Sequence, residues 1–182
     1  YLTFCASFFS RVAENQTALE LHEKGLKIYA QLDSSEGKEL MARCYNNMGT
    51  EYETLGNYDE SLKWHHKCRE AFEEIYGDEH ENTSVSYFNI GAVLKKMDKN
   101  EEVLAMYEKS MAIDPKIKGE NHIDVALSQS YIGRVKQATG DYDGAQELFE
   151  KSLKIREDTY GDKHPDAAIG YGDLGLLHHM RK

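Results

Sequence analysis

The stretch Tyr45-Asn-Asn-Met-Gly49 recurs along the chain at a constant interval. Its later copies end in the same glycine, at steps of 42 residues: Tyr87-Phe-Asn-Ile-Gly91, Gln129-Ser-Tyr-Ile-Gly133 and Tyr171-Gly-Asp-Leu-Gly175. Two further series share this period: Gly77, Gly119 and Gly161, and His80, His122 and His164. Three independent series with one period indicate a tandem repeat, and a repeat decides the fold before any other signal does.

Within each repeat the apolar residues have helical spacing. Tyr87, Ile90 and Leu94 recur at three or four residues, which indicates an amphipathic helix. Gly56 and Gly140 then supply a turn, because glycine tolerates the backbone conformation found past a helix end. A second helix follows and ends at Tyr160-Gly161 or its equivalents. Each repeat is therefore predicted to be a helix, a short turn, a second helix and a longer loop.

An earlier copy precedes these repeats. Glu20-Leu-His-Glu-Lys-Gly-Leu-Lys-Ile28 nearly duplicates Glu147-Leu-Phe-Glu-Lys-Ser-Leu-Lys-Ile155, at three periods plus one residue. We expect a single array over residues 1–182 with about nine helices, four hairpins plus a final helix. Its parts are a first, partial-looking repeat at 1–32, repeats at 39–80, 81–122 and 123–164, and a final half repeat or cap helix at 165–182. Both ends fall within the pattern, so we expect an excerpt of a longer array.

The succession of an aromatic residue, Leu/Ile-Gly, Gly-x-Tyr-x-x-Ala and a further aromatic residue resembles the tetratricopeptide repeat (TPR). The 42-residue length, the Asn46-Asn47 pair and the loop Tyr160-Gly-Asp-Lys-His-Pro165 resemble the long repeats of kinesin light chains. The resemblance covers essentially the whole chain. It implies an all-α fold, a right-handed superhelical array of antiparallel helix hairpins (a TPR solenoid), whose first helices line the concave side.

Three residues depart from the repeat pattern. Gln129 and Lys136 replace apolar core residues of the third full repeat. Pro115 lies in a segment that is helical in the other copies. Because proline removes a hydrogen-bond donor and crowds the preceding turn, we expect a kink or an early helix end there.

The repeats are expected to stack, since a single hairpin cannot bury its apolar face alone. Small residues at the helix crossings would allow close approach: Gly49, Gly91, Gly133, Ser61, Ala145, Ser110 and Ser152. With the glycine as origin, positions −6, −3, −2, +1, +4 and +5 share a helix face that opens to the groove. These positions predict a peptide-binding groove formed by Arg43, Asn46, Asn47, Thr50, Phe88, Asn89, Lys95, Lys96, Tyr131 and Arg134.

The chain has a formal charge of −10, which disfavours general binding to nucleic acids or anionic membranes. The groove positions hold four cations (Arg43, Lys95, Lys96 and Arg134) against the two anions Glu53 and Asp173, a net charge of +2. We therefore expect a ligand segment with acidic residues and at least one bulky apolar residue. The asparagine amides would hold its backbone, and Phe88 and Tyr131 would contact its apolar anchor. The alternative is that these are ordinary solvated residues on an exposed helix face.

No catalytic or metal-binding motif is evident. The sequence lacks a glycine-rich phosphate loop, a nucleophile elbow and a zinc motif, so we expect no enzyme, no metal and no cofactor. Cys5, Cys44 and Cys68 form no motif, which suits a reducing compartment, and Cys68 is expected to pack in the core. The recurrent histidines His80, His122 and His164 are interpreted as loop residues that help to start the next helix.

The predicted function is a non-catalytic protein–protein interaction scaffold or adaptor that binds a partner's peptide segment in the concave groove. The resemblance to kinesin light chains implies a cargo adaptor, cytoplasmic and associated with the cytoskeleton. The expected partner is a protein or peptide, with no nucleic acid and no membrane insertion, and exposed terminal faces favour end-to-end self-association. Two alternatives stay open: a structural strut in a large assembly, or a regulatory TPR module of a larger multidomain protein.

Overall fold

The computed structural model describes residues 2–32 and 34–181, and it describes side chains from Glu14 onwards. These residues are almost entirely helical. The helices are α1 (Leu2–Tyr29), α2 (Ser35–Thr54), α3 (Tyr58–Tyr76), α4 (Glu81–Lys96), α5 (Asn100–Lys118), α6 (Ile123–Ala138), α7 (Tyr142–Tyr160) and α8 (Pro165–Met180). The chain divides into two compact units. Unit 1 is Tyr1–Asp78, and unit 2 is Glu79–Lys182.

The prediction of nine helices is wrong for the described part of the chain, which has eight. The difference lies at 1–32, where α1 runs without a break instead of forming a hairpin. Aligning the Glu20–Ile28 copy with the later repeats puts Ala13 where Gly140 makes a turn. Alanine has the highest helix propensity of all residues, so the backbone continues as a helix through this position. The predicted core side chains Leu2, Cys5, Phe9 and Val12 lie outside the described side chains.

The short turns within the hairpins require a left-handed backbone residue. Gly56 has φ = 74° and Gly140 has φ = 88°. Asp98 occupies the same position of the middle repeat and has φ = 58°. Aspartate is one of the few side chains that tolerate this region, so the turn forms there without glycine.

The hairpins of both units depend on a glycine that faces a ring. Gly49 of α2 faces His65 of α3. A Cβ atom added at Gly49 would lie only 2.7 Å from the imidazole ring. Gly91 faces Tyr107 and Gly133 faces Phe149 in the same way, with a hypothetical Cβ 2.6 Å from the ring. The predicted role of these glycines in close helix approach is thereby confirmed.

Small hydroxyl residues complete the helix crossings. Ser61 Oγ donates to the Gly49 carbonyl over 2.8 Å, and Ser152 Oγ donates to the Ala126 carbonyl over 2.7 Å. Ser61, Ser110, Ala145 and Ser152 are all buried, as the sequence predicts. Each buried hydroxyl has a partner, which avoids the cost of an unsatisfied polar group.

Each unit has its own apolar core. In unit 1 one cluster joins Leu19 of α1 to Cys44 and Met48 of α2, and a second contains Ala42, Cys68 and Phe72. The predicted packing role of Cys68 is confirmed, since its side chain is 1% exposed. In unit 2 two further clusters join α6 to α7 and α7 to α8. They are Val125, Ala126 and Ile155, and Ala145, Phe149 and Leu177.

The predicted early helix end at Pro115 is wrong. Pro115 lies inside α5, which ends at Lys118, and the Gly119 N–H donates to the Pro115 carbonyl over 2.9 Å. The corresponding helices α3 and α7 end at the same position of their repeats. Because Pro115 lies in the last turn, it removes one donor only and the helix closes normally after it.

The recurrent histidines start the first helix of each repeat in unit 2. His80, His122 and His164 are the N-cap residues of α4, α6 and α8. Their Nδ1 atoms accept hydrogen bonds of 3.2 Å from the backbone N–H groups of Asn82, Asp124 and Asp166. This confirms the predicted role in starting the helices, since a side-chain acceptor satisfies one of the unpaired donors of a helix N-terminus.

We predict that Gly91→Ala lowers the free energy of unfolding of unit 2 by about 1–3 kcal/mol, because the new methyl group overpacks the Tyr107 ring. The matched control is Gly175→Ala in the same unit, where an added Cβ has no atom within 4 Å. That substitution is expected to be neutral or to stabilise α8 by up to about 1 kcal/mol. Urea denaturation followed by circular dichroism measures both. Equal destabilisation by the two variants would disprove the ring contact as the cause.

His65 occupies the ring position that Tyr107 and Phe149 hold in the later repeats. The side chain is 1% exposed, and neither ring nitrogen has a hydrogen-bond partner among the described residues. Burial lowers the pKa of His65 to about 4, against a smaller opposing effect of Glu53. The folded state therefore binds a proton less readily than the unfolded chain, in which histidine has its ordinary pKa.

We predict that unit 1 loses stability as the pH falls from 6.5 to 4, since only the unfolded state is protonated in this window. The shift corresponds to about 3 kcal/mol at the acid end. His65→Phe is expected to remove this pH dependence, and His66→Gln, at the exposed neighbouring histidine, is expected to retain it. Denaturation midpoints between pH 4 and 7 test this. A wild-type pH dependence in the His65→Phe variant would contradict it.

Candidate functional site

Four of the predicted groove residues lie on one face of α2 in unit 1. Arg43, Asn46, Asn47 and Thr50 are three or four residues apart, which places them along one stripe of the helix. Arg43 Nε donates to Glu39 Oε1 over 3.1 Å, and Thr50 Oγ1 donates to the Asn46 carbonyl over 3.2 Å. Two of these polar groups are thus engaged within α2 itself.

The other six predicted residues lie in unit 2, on α4 and α6. The Phe88 and Tyr131 rings meet edge to face, with centroids 5.0 Å apart. Tyr107 of α5 packs beneath them, 5.1 Å from Phe88 and 5.7 Å from Tyr131. We call Phe88, Tyr107 and Tyr131 the aromatic cluster. Tyr107 is buried, whereas Phe88 and Tyr131 are partly exposed and offer apolar surface to a ligand.

Two cations flank the Tyr131 ring. Lys95 Nζ lies 5.8 Å from the ring centroid and Arg134 Cζ lies 5.9 Å from it. These are the distances of cation–π contacts. Arg134 also donates to the Asp173 carboxylate through two hydrogen bonds, of 2.9 and 3.3 Å. Asp173 is 6% exposed, so this pair holds α6 against α8.

Two of the four cations at the predicted groove positions are paired with carboxylates of this chain. Within unit 2, Arg134 is neutralised by Asp173. Within unit 1, Arg43 is paired with Glu39 at 2.9 Å. The other two cations, Lys95 and Lys96, are exposed in the last turn of α4.

A cavity of about 330 Å³ opens beside the aromatic cluster, between α4, α5 and α6. We call it the α4–α6 cavity. Phe88 and Tyr131 line it, together with the polar side chains Ser84, Asp114 and Ser128. Asp114 is 6% exposed, and its Oδ1 accepts a hydrogen bond of 2.6 Å from Ser84 Oγ. The cavity therefore combines aromatic walls with a buried carboxylate.

A buried guanidinium occupies the next repeat at the position of Asp114. Arg156 of α7 is 2% exposed, and its Nη2 donates to Ser130 Oγ over 3.1 Å. Burial lowers the pKa of Arg156, and the nearby Asp173 opposes this effect. Its Nη1 has no hydrogen-bond partner among the described residues. The same position of two consecutive repeats in unit 2 therefore holds buried charges of opposite sign.

A model of the tetratricopeptide repeat family matches residues 40–116 and 124–182, which is most of the chain. The chain belongs to the tetratricopeptide repeat family. This TPR membership confirms the predicted repeat class and the all-α solenoid fold. The fold supports a protein–protein interaction scaffold, and scaffolds of this kind bind partners through extended surfaces.

The solved structures that the TPR chain resembles share its fold at low sequence identity. The crystal structure of BtubC (BKLC) from P. vanneervenii superposes with a TM-score of 0.81 and 19% identity, covering 91% of this chain and 66% of BtubC. A putative kinesin light chain from Podosopora anserina, with nearly identical TPR-like repeats, gives 0.77 and 21% identity, covering 96% and 82%. The expected kinesin light chain-like character is confirmed at the level of the fold. No curated protein matches the chain.

Several residues of this TPR site were not predicted from the sequence. Tyr107, Ser84, Asp114, Ser128 and the partner role of Asp173 emerge only from the packing. A signal was nevertheless present for Asp114. Its position, read every 42 residues along the second helices, is occupied in turn by Phe72, Asp114 and Arg156.

A wider depression of about 630 Å³ lies in unit 1, between the end of α1, α2 and α3. Its lining includes Lys38 and Glu74, which bind each other over 2.6 Å. Lys67 stacks on the Trp64 ring, with Nζ 4.2 Å from its centroid. Because these charged groups are engaged with one another or with rings, we assign no ligand to this depression.

No described helix of the TPR chain is long and apolar enough to cross a membrane. Within residues 2–32 and 34–181, no group of three or more His, Cys, Asp or Glu side chains could hold a metal ion.

Proposed function

We propose that the chain is a non-catalytic interaction scaffold that binds a peptide segment of a partner protein on the α4 and α6 face of unit 2. The observation that carries the proposal is the aromatic cluster, which has half-buried rings beside the α4–α6 cavity. Aromatic side chains at the edge of a pocket are typical anchors of protein interfaces. Val85 and Leu127, which are 47% and 42% exposed, extend this apolar surface at the cavity.

The ligand is proposed to carry acidic residues and a bulky apolar residue. Lys95 and Lys96 are exposed at the end of α4, and Lys95 lies beside the Tyr131 ring. An acidic ligand residue would approach these ammonium groups while its apolar neighbour contacts Phe88 and Tyr131. Asn89 of α4 is a further proposed contact of the peptide backbone.

The resemblance to kinesin light chains makes a cytoplasmic cargo adaptor, associated with the cytoskeleton, the specific form that we favour. A second candidate is a structural strut in a large assembly. It is favoured by the exposed apolar side chains of α8, among them Ile169, Leu176 and Met180, which are 45%, 61% and 51% exposed. The same face supports end-to-end self-association, since contiguous apolar surface marks interaction sites.

We predict that Lys95→Gln with Lys96→Gln weakens binding to acidic peptides by about fivefold to thirtyfold, because each lost ion pair contributes about 0.5–1 kcal/mol. The probes are peptides in which one tryptophan or leucine is flanked by Asp or Glu at varied positions. Fluorescence polarisation gives their dissociation constants.

The matched control replaces the same charges on the outer helix of unit 2, as Lys151→Gln with Lys154→Gln. Both control residues are exposed on α7. Equal affinities of the two double variants would exclude a charge preference at α4. The strut would be favoured by a partner that still binds both double variants but no longer binds after α8 substitutions such as Leu176→Ser and Met180→Ser.

A further inference from the structure

One position in the second helix of each repeat changes its chemistry completely. It is the apolar Phe72 in α3, the acidic Asp114 in α5 and the basic Arg156 in α7. All three are buried. A buried carboxylate costs free energy unless it is compensated, so Asp114 is expensive at a position where an apolar side chain suffices elsewhere.

Hydrogen bonds offset the cost of burying the Asp114 carboxylate only in part. Ser84 Oγ donates to Oδ1 over 2.6 Å, whereas Ser128 Oγ lies 3.5 Å from Oδ2, at the outer limit of a hydrogen bond. No ion pair among the described residues includes Asp114. A carboxylate can accept about four hydrogen bonds, so acceptor capacity remains unused. Since Asp114 lines the α4–α6 cavity, this capacity is available to a ligand that enters it.

Lys118 and Asp124 also line the cavity, and Lys118 is engaged by carboxylates other than Asp114. Lys118 Nζ contacts Asp124 Oδ2 over 2.6 Å and Glu81 Oε1 over 2.8 Å. Burial opposes the charge of Lys118, but these two carboxylates outweigh it and raise the pKa of Lys118 well above its ordinary value. One ammonium thus faces two carboxylates there, and Asp114 adds a third. Together, Lys118, Glu81, Asp124 and Asp114 carry a formal charge of −2.

The walls of the cavity suit a flat cation. The Phe88 and Tyr131 rings line the cavity, and their centroids lie 5.0 Å apart. A guanidinium stacks on aromatic rings and donates two parallel hydrogen bonds to a carboxylate. An ammonium lacks the planar shape, and an uncharged apolar side chain would leave the remaining acceptor capacity of Asp114 unused.

We propose that the α4–α6 cavity binds an arginine side chain of the partner peptide, with its guanidinium paired to Asp114 and stacked against Phe88 and Tyr131. This inference rests on the proposed function and adds an arginine to its ligand, next to the bulky apolar residue. Ser84 and Lys95 are about 16 Å apart along α4 at 1.5 Å per residue. The ligand therefore carries a basic residue toward the N-terminal part of α4 and acidic residues toward its C-terminal end.

The test uses the whole chain, labelled with nitrogen-15 and titrated with N-acetyl-arginine amide, N-acetyl-citrulline amide and N-acetyl-leucine amide. Citrulline has the shape of arginine without its charge. We expect saturable shifts of the Ser84 and Ser128 amide signals with the arginine compound, and at least tenfold weaker binding of the citrulline compound. This comparison needs no variant, so a folding defect cannot obscure it.

Asp114→Asn is expected to reduce the difference between the two compounds to less than threefold. The matched control is Asp143→Asn on α7, whose side chain is 94% exposed. Circular dichroism and the melting temperature show that both variants are folded. An unchanged preference for arginine in Asp114→Asn would overturn the role of Asp114.

The remaining outcomes separate the inference from the proposed function. Binding of the leucine compound in preference to arginine would overturn the arginine site, while the aromatic anchor of the proposed function would stand. Absence of shifts with all three compounds would also overturn it. Acidic peptides that fail to bind, together with an arginine compound that does bind, would contradict the proposed function and leave the cavity assignment intact.

Discussion

The close contact between a glycine of one helix and a ring of the next is the constraint on which the rest of the structure depends. Gly91 and Gly133 admit Tyr107 and Phe149 to positions that any larger residue would block. The approach of the helices there brings Tyr107 beneath Phe88 and Tyr131, so the contact that closes the hairpin also builds the aromatic cluster. The proposed binding surface of unit 2 is therefore a direct product of its core packing.

Several charged side chains of unit 2 form ion pairs between neighbouring helices. Arg134 and Asp173 neutralise each other between α6 and α8, and Lys118 is held by Glu81 and Asp124. The proposed binding surface combines the exposed ammonium group of Lys95 at the end of α4 with the buried carboxylate of Asp114. A surface with separated charges of opposite sign selects the orientation of a ligand as well as its composition.

The 42-residue period was sufficient to predict the repeat class, the helix crossings and the histidine caps, because each of these is set by local spacing. The hairpin at 1–32 was predicted wrongly, since the turn position there holds Ala13 instead of glycine. The predicted groove residues include Phe88 and Tyr131, whose rings are in contact in the structure. The prediction also counted Arg134 as a cation available to a ligand. The pairing of Arg134 with Asp173 joins residues 39 positions apart, and helical periodicity cannot reveal which side chains select each other across two helices.

The central claim, that partners bind on the α4 and α6 face of unit 2, is tested most directly by site-specific photo-crosslinking. The photoreactive residue p-benzoylphenylalanine would replace Leu127 or Val85 at the α4–α6 cavity and, separately, Glu150 on the exposed side of α7. A tryptophan peptide that binds the chain in solution is predicted to crosslink at positions 85 and 127 and not at position 150. Crosslinking at position 150 with none at the cavity would contradict the account.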